Sequence, residues 1–397
     1  MRLEGLSLFF NTQRLKIWPL LFISVYLVVL CLYFFNSTGL IDQKGLPVGS
    51  DFITFFSASH LATKGQILDL YNPDKLYSTQ KQLAGGKIPF FAWHYPPHFL
   101  FFILPLAYLP YLLSLLVWLS VTAFPLLCLL KKIVPHPATA AIFLAFPGTF
   151  QNIVHGQNAF LTAFFLGSGL LWLEKKPFRA GILLGMLTYK PHFSVLVIVS
   201  LFACKNYRAI SGFICSFATL YCLSVYFWGI EPWKIFFNNL FLAQKILETG
   251  AVNIAKMPTV FAAARLSSFS VELAQIIQIL VGLTMIGLTY SYWQSKQHIA
   301  VKTTFTAAAS FLTTPFAFDY DLLILSIAIA SLYRNFHENT VPHIFFFWGL
   351  ILWLLPFVGP LTAQLLKINL VPIVLIVFCV FLYLQKNIDN NKLTTQL

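Results

Sequence analysis

The sequence predicts an all-α, polytopic integral membrane protein that crosses the bilayer about 10–12 times. Of its 397 residues, 58% are hydrophobic and only 10% are charged. Soluble domains are about one quarter charged, so a soluble fold could not cover this much apolar surface. Apolar runs separated by basic residues recur along the chain, which predicts a single transmembrane domain over residues 1–397.

The charge balance indicates membrane lipids as partners and argues against nucleic acid. The net charge is +13, from 26 Lys and Arg residues against 13 Asp and Glu residues. Nucleic-acid-binding proteins gather basic residues on one face or arm, whereas here they stand singly or in pairs between apolar runs. The six cysteines lie in or beside apolar runs without metal-ligand spacing, so we expect neither a metal nor another cofactor.

The positions of the basic residues predict the topology. Arg2, Arg14 and Lys16 precede a first apolar run that is long enough to span and has no signal-peptide cleavage site, so the N-terminus is expected in the cytoplasm. The C-terminus is expected there too. Residues 36–98 and 230–258 form the predicted extracytoplasmic loops. The short loops predicted to be cytoplasmic all carry basic residues: Lys131 and Lys132; Lys175, Lys176 and Arg179; Lys205 and Arg208; Lys296 and Lys302; Arg334; and Lys386.

The first extracytoplasmic loop contains signals for two amphipathic helices. Asp51 can cap a helix that ends near Lys64, and Asn72 can cap a second helix that ends at Gly85. Amphipathic helices outside a bundle are expected to lie along the membrane interface. The prolines in residues 96–110 then predict a short, broken helix before the next span.

Five short motifs follow one another between residues 50 and 195. They are Asp51-Phe52 with Phe55-Phe56 and Ala58; Gly65 with Leu70-Tyr71 and Pro73; Tyr95-Pro96-Pro97 with Pro105-Leu106-Ala107 and Leu109-Pro110; Gly156-Gln157; and Ala180-Gly181 with Lys190-Pro191. This ordered set resembles glycosyltransferase family 87, membrane enzymes of the GT-C fold. Thr314-Pro315 and Phe318 fit a later family pattern, but Asp319, Tyr320 and Asp321 stand where the family often has His-type residues.

The resemblance implies a GT-C-like fold and a membrane glycosyltransferase. Such an enzyme would move a sugar, such as mannose or arabinose, from a polyprenyl-phosphate donor to an extracytoplasmic lipid or glycan acceptor. It implies inversion at the sugar carbon, with the Asp of the first loop as general base and a place in the bacterial inner (cell) membrane. A carboxylate at this position can accept the proton of the attacking hydroxyl. Judged from the residues alone, a helix cap is the commoner role for such an Asp, and the roles of cap and base are compatible.

Two further groups of polar residues are candidates for substrate binding. A donor phosphate needs cations, and a buried lysine between two half-helices needs a partner for its charge, unless it extends to the interface. The donor-site candidates are Lys190, His192, Lys256, Arg265, Tyr95 and His94. Lys256 is predicted to open a helix, where anions bind, whereas Arg265 could simply face water. The acceptor-site candidates are His155, Gln157, Asn158, Asp319, Tyr320 and Asp321.

Each acceptor-site candidate has a simpler explanation. Asp319 and Asp321 could only cap a helix, or could form a weak divalent-metal site, and polar residues on turns are usually solvated. Two other function classes also remain open. A transporter or flippase predicts ionisable residues at mid-depth in the spans or an internal repeat, and neither is visible. A non-catalytic scaffold would not need Asp51.

Overall fold

The computed structural model describes residues 14–248, 252–334 and 343–394. Within these ranges the chain is helical, and β-structure is limited to isolated bridges of Ile41 with Thr38 and Pro47. The helices, in chain order, are α1 (Arg14–Phe35), α2 (Phe52–Thr63), α3 (Pro73–Ala84), α4 (Leu100–Ile103), α5 (Tyr111–Ile133), α6 (Thr139–Ala145), α7 (Pro147–His155), α8 (Ala159–Trp172), α9 (Pro177–Met186), α10 (Pro191–Ala203), α11 (Tyr207–Trp228), α12 (Glu231–Glu248), α13 (Val260–Leu266), α14 (Val271–Trp293), α15 (Ile299–Ala309), α16 (Leu325–Arg334), α17 (His343–Leu365) and α18 (Leu370–Thr394).

Short 3₁₀ helices complete the backbone at several helix ends. They are Ile67–Tyr71, Pro97–Phe99, Leu104–Tyr108, Leu187–Tyr189, Ile254–Lys256, Ser310–Leu312 and Asp319–Ile324. Two of them flank α4, so residues 97–108 form the short, broken helix that the prolines predict.

The prediction of an all-α polytopic membrane fold is confirmed. Among the described residues, α1, α5, α11, α14 and α17 contain stretches long and apolar enough to cross a membrane. Further apolar helices of 10–17 residues include α8, α10 and the first part of α18. Many large apolar side chains on these helices are exposed, which in a bilayer places them against lipid.

The two helices predicted in residues 36–98 both form, but they are packed differently. The Asn72 side chain accepts hydrogen bonds from the backbone N–H groups of Asp74 and Lys75, and Gly85 ends α3 with φ +74°. This is the predicted capping. In contrast, α2 is buried along nearly its whole length and is not half-exposed as an amphipathic surface helix would be.

The burial of α2 follows from its aromatic residues. The Phe55 ring centroid lies 5.5 Å from the ring centroids of Tyr95, Phe99 and Trp118. Edge-to-face contacts at this distance are favourable, and each ring buries a large apolar area. The helix therefore forms part of the core, which fixes the position of Asp51 immediately before it.

Residues 230–258 cover part of residues 36–98. Helix α12 contacts the 3₁₀ turn Ile67–Tyr71, and Trp233 stacks on His98 with a centroid distance of 5.5 Å. The Trp233 indole N–H also donates to Ser224 Oγ at 2.9 Å. Lys256 ends a 3₁₀ helix, and α13 begins later with Thr259 as its cap. The prediction that Lys256 opens a helix is therefore wrong, because Pro258 interrupts the backbone hydrogen bonding before α13.

Candidate functional site

Two glycines bring the start of α2 against the end of α7. Gly49 and Gly156 both adopt positive φ, of +75° and +61°. A Cβ atom at Gly156 would stand 2.6 Å from Phe52 Cβ and 3.0 Å from Gly49 O, so only glycine permits this approach. As a result, the chain segments that carry Asp51 and Gln157 lie side by side.

The Asp51 carboxylate belongs to a hydrogen-bonded group with Gln157 and Tyr95. Gln157 Nε2 donates to Asp51 Oδ2 at 2.9 Å, and Tyr95 OH donates to Gln157 Oε1 at 3.3 Å. Asp51 is partly buried, and its side chain makes no hydrogen bond to the first turn of α2. The capping alternative is therefore wrong for this residue. Gln157 is 5% exposed, so the amide holds the carboxylate in a fixed orientation.

A histidine lies on the other side of the carboxylate. Ser50 Oγ is 2.8 Å from His155 Nδ1 and 3.4 Å from Asp51 Oδ1. The His155 ring packs against Tyr320, with 5.8 Å between the ring centroids. These contacts bring the first loop, the end of α7 and the 3₁₀ helix Asp319–Ile324 together at one place.

Lys190 and Asp321 form a buried ion pair. Lys190 Nζ donates to Asp321 Oδ1 at 2.5 Å, and the side chains are 4% and 3% exposed. The other Asp321 oxygen accepts the backbone N–H of Phe318 at 3.1 Å, so Asp321 also caps its helix. The alternative interpretation, in which the Lys190 side chain extends to the membrane interface, is therefore wrong. Burial lowers the pKa of Lys190, and the Asp321 charge partly raises it again.

The pKa values of Asp319 and Tyr95 both depend on charges of this site, and the Asp51 charge acts on both. Burial raises the pKa of the Asp319 carboxyl above its usual range, and nearby His155 and Lys256 lower it in part. Burial also raises the pKa of Tyr95, and the Asp321 and Asp51 charges raise it further. Asp319 and Lys256 line one narrow crevice. The site is thus a compact set of carboxylates, cations and phenols.

Other predicted residues are placed less centrally. His94 is exposed, and the His192 ring lies 4.6 Å from the Phe193 ring. Arg265 Nη1 donates to Phe269 O at 2.6 Å at the end of its own helix. Asn158 is buried, and its backbone N–H donates to Gln157 Oε1 at 3.2 Å. Among the described residues, no hydrogen bond or ion pair joins His94, His192 or Arg265 to Asp51.

Sequence reasoning missed two residues of this site. Ser50 stands next to Asp51 and contacts His155. Tyr189 stands next to Lys190, and its hydroxyl lies 2.6 Å from Thr162 Oγ1 on α8. Adjacency to a predicted site residue was the only signal that could have identified either one. Within the described ranges, no group of three or more His, Cys, Asp or Glu side chains could hold a metal ion.

Comparison with known protein families gives one match. The model of glycosyltransferase family 87 matches residues 93–315, which is more than half of the chain. Gly156-Gln157 and Lys190-Pro191 lie within the match, whereas Asp51 precedes it. No curated protein and no solved structure matches the chain.

Proposed function

Because the chain belongs to glycosyltransferase family 87, we propose that it transfers a hexosyl or pentosyl group from a polyprenyl-phosphate donor. The proposed acceptor is a glycolipid or polysaccharide on the extracytoplasmic side of a bacterial inner membrane. The family makes the chain a membrane glycosyltransferase, and the donor, acceptor and mechanism are the proposed part. The family also favours this activity over a flippase or a scaffold.

In the proposed reaction, Asp51 is the general base. An acceptor hydroxyl attacks the anomeric carbon of the sugar from the face opposite the phosphate. The bond from the anomeric carbon to the phosphate oxygen breaks, and a glycosidic bond with inverted configuration forms. Asp51 takes the hydroxyl proton, and the polyprenyl phosphate leaves with the electron pair. The phosphate is a good leaving group, so the protein mainly has to position the reactants and stabilise charge.

The orientation of the Asp51 carboxylate is the observation that carries this proposal. Gln157 Nε2 donates to Oδ2 at 2.9 Å, and Oδ1 accepts only a long hydrogen bond of 3.4 Å from Ser50 Oγ and none from the α2 backbone. A carboxylate has about four lone-pair sites, so acceptor capacity remains for an incoming hydroxyl. A side chain needed only to start a helix would bond to the helix backbone, and this one does not.

Lys190 is the proposed partner of the donor phosphate. An ammonium group has three N–H donors, and Asp321 occupies one of them. The Nζ atom also lies 5.4 Å from the Tyr320 ring centroid, on the side of the Asp51 group. Lys256 and Tyr95 are proposed to contact the phosphate or the sugar, and His155 and Tyr320 the acceptor. His192 follows Lys190 by two residues and interacts with its charge, so it is proposed to contact the donor beside Lys190. His94 and Arg265 are proposed to contact parts of the donor outside the reacting groups.

The test is a transfer assay with membranes that contain this chain. A panel of radiolabelled polyprenyl-monophosphate sugars is supplied with lipid acceptors from the same membranes. Asp51→Asn is expected to lower the transfer rate at least about 100-fold, because general base catalysis contributes 10²–10⁴-fold. Asp74→Asn, which alters an exposed carboxylate in the same predicted loop, is expected to leave the rate unchanged. Full activity in Asp51→Asn would refute the proposal that Asp51 is the general base. If the natural protein transfers sugar from none of the lipid-linked donors, the proposed donor class is refuted.

A further inference from the structure

A second polar region lies at the opposite ends of the helices that carry the site. Helix α8 begins beside Asn158 in the site and ends at Trp172, about 21 Å away at 1.5 Å per residue. Helix α16 follows the 3₁₀ helix of Asp319 and Asp321 and ends at Arg334. A cavity of about 210 Å³ lies at these far ends. It is lined by Leu129, Lys132, Ile133, Leu171, Trp172, Lys175, Lys176 and Arg334.

The cavity is strongly basic. Four of its eight lining residues are Lys or Arg, and none is acidic. Among the described residues, none of the four cations forms an ion pair with a carboxylate. The Nζ atoms of Lys132 and Lys176 lie 5.5 and 5.8 Å from the Trp172 ring centroid, so the indole holds two of the cations beside the opening.

Helix dipoles explain only part of this charge. Lys132 lies in the last turn of α5 and Arg334 in the last turn of α16, where cations are favoured. Lys176, however, is the cap residue at the start of α9, where the dipole disfavours a cation and attracts an anion. A bound anion would relieve the repulsion among the four cations and would also match the start of α9.

We propose that this cavity binds a phosphate group, carried in the membrane by the headgroup of an anionic phospholipid. The volume exceeds the roughly 15 Å³ that one water molecule needs by more than tenfold, so it admits a group larger than water. Its lysines come from short loops that the sequence predicts to be cytoplasmic, and basic pockets between helices on that side suit anionic headgroups. The proposal does not depend on which sugar the enzyme transfers.

The test measures lipid binding by the purified full-length protein in uncharged detergent. Phosphatidylglycerol, phosphatidylcholine and, as soluble sources of phosphate, inorganic phosphate and glycerol phosphate are titrated separately. The readouts are lipid adducts in native mass spectrometry and the shift of the thermal unfolding midpoint. The variant Lys132→Gln/Lys175→Gln/Lys176→Gln is compared with a control of equal charge change, Lys131→Gln/Lys205→Gln/Arg208→Gln. The control side chains are exposed, as are the three cavity lysines, but they do not line the cavity.

The cavity variant is expected to bind phosphatidylglycerol at least about tenfold more weakly, while the control changes less than about twofold. Phosphatidylcholine should bind weakly to every form. Binding of glycerol phosphate, but not of phosphatidylglycerol, that disappears in the cavity variant would overturn the lipid assignment and leave a site for a soluble phosphate. Equal weakening in both triple variants would overturn the proposal, because general surface attraction would then suffice. If the triple variant does not fold, Lys175→Gln alone against Lys131→Gln gives the same comparison.

Discussion

At the residue scale, Gln157 is the connection between the carboxylate and the aromatic core. Its amide donates to Asp51 and accepts from Tyr95, so Gln157→Leu would leave the carboxylate free to rotate. We expect the turnover number to fall about tenfold with little change in KM, because orientation and not substrate binding is lost. Gln151→Leu is the control, since that amide on α7 bonds instead to Pro356 O. A lower turnover number in the control, or an unchanged one in Gln157→Leu, would contradict this role.

The ion pair of Lys190 and Asp321 makes a prediction about stability. Asp321→Asn would leave a buried ammonium without its charged partner, which costs about 3–5 kcal/mol of unfolding free energy. Asp69→Asn removes a carboxylate from the exposed pair with Lys75 and should cost less than about 1 kcal/mol. Thermal unfolding in detergent compares the two. Combining Lys190→Met with Asp321→Asn should restore part of the loss, and a further loss of stability would argue against the pairing.

The raised pKa of Asp319 predicts that the free energy of unfolding depends on pH. Its carboxyl has a raised pKa in the folded protein, chiefly through burial, so the folded state favours the protonated form. The contribution of protonated Asp319 to stability is fully present below the ordinary Asp pKa of about 3.9. It is lost as the pH rises through the pKa of Asp319 in the folded protein. Asp319→Asn is always neutral, so its stability relative to the natural protein should increase as the pH rises from 4 upward. Parallel stability profiles over this range would show that Asp319 is not the titrating group.

At the scale of elements, the packing of α9 on α11 depends on glycine. A Cβ at Gly181 would overlap the carbonyl oxygen of Ala209, and one at Gly212 would overlap that of Phe178. Small residues allow such close approach of membrane helices. Gly181→Ala is therefore expected to lower the unfolding free energy by about 2 kcal/mol or more. Gly287→Ala on α14 meets no atom within 4 Å and should be neutral or stabilising. Equal effects in a thermal unfolding assay would contradict the packing argument.

Helix boundaries were predictable where the signals are local. Asn72, Pro73 and Gly85 act within a few residues, and α3 begins and ends where they predict. The same reasoning assigned Asp51 a capping role that the structure does not show, because Gln157 competes for the carboxylate from 106 residues away. The amphipathic pattern expected for α2 also failed, since aromatic residues of several other elements surround it.

At the scale of the whole molecule, the site depends on contacts that no local pattern records. Lys190 and Asp321 are separated by 131 residues, and their separate motifs suggested two different roles. Composition and apolar runs predict that lipid surrounds the chain and approximately how many helices it has. What they leave open is which helix ends meet, because many helix-packing arrangements would bury the same apolar surface. The ordered family motifs between residues 50 and 195 narrow this choice, because the resemblance to the family implies a GT-C-like arrangement.

The separation of the two polar regions predicts opposite membrane sides for them. Asp74 lies in residues 36–98, which are predicted to be extracytoplasmic, and Arg208 lies in a short basic loop predicted to be cytoplasmic. Both side chains are exposed, so cysteines introduced there can react. In intact cells, a membrane-impermeant maleimide should label Asp74→Cys and should label Arg208→Cys only after permeabilisation. The unsubstituted protein measures the background from its own six cysteines. Labelling of both positions in intact cells would contradict the topology, since a catalytic carboxylate and a basic lipid-binding cavity would then face the same solution.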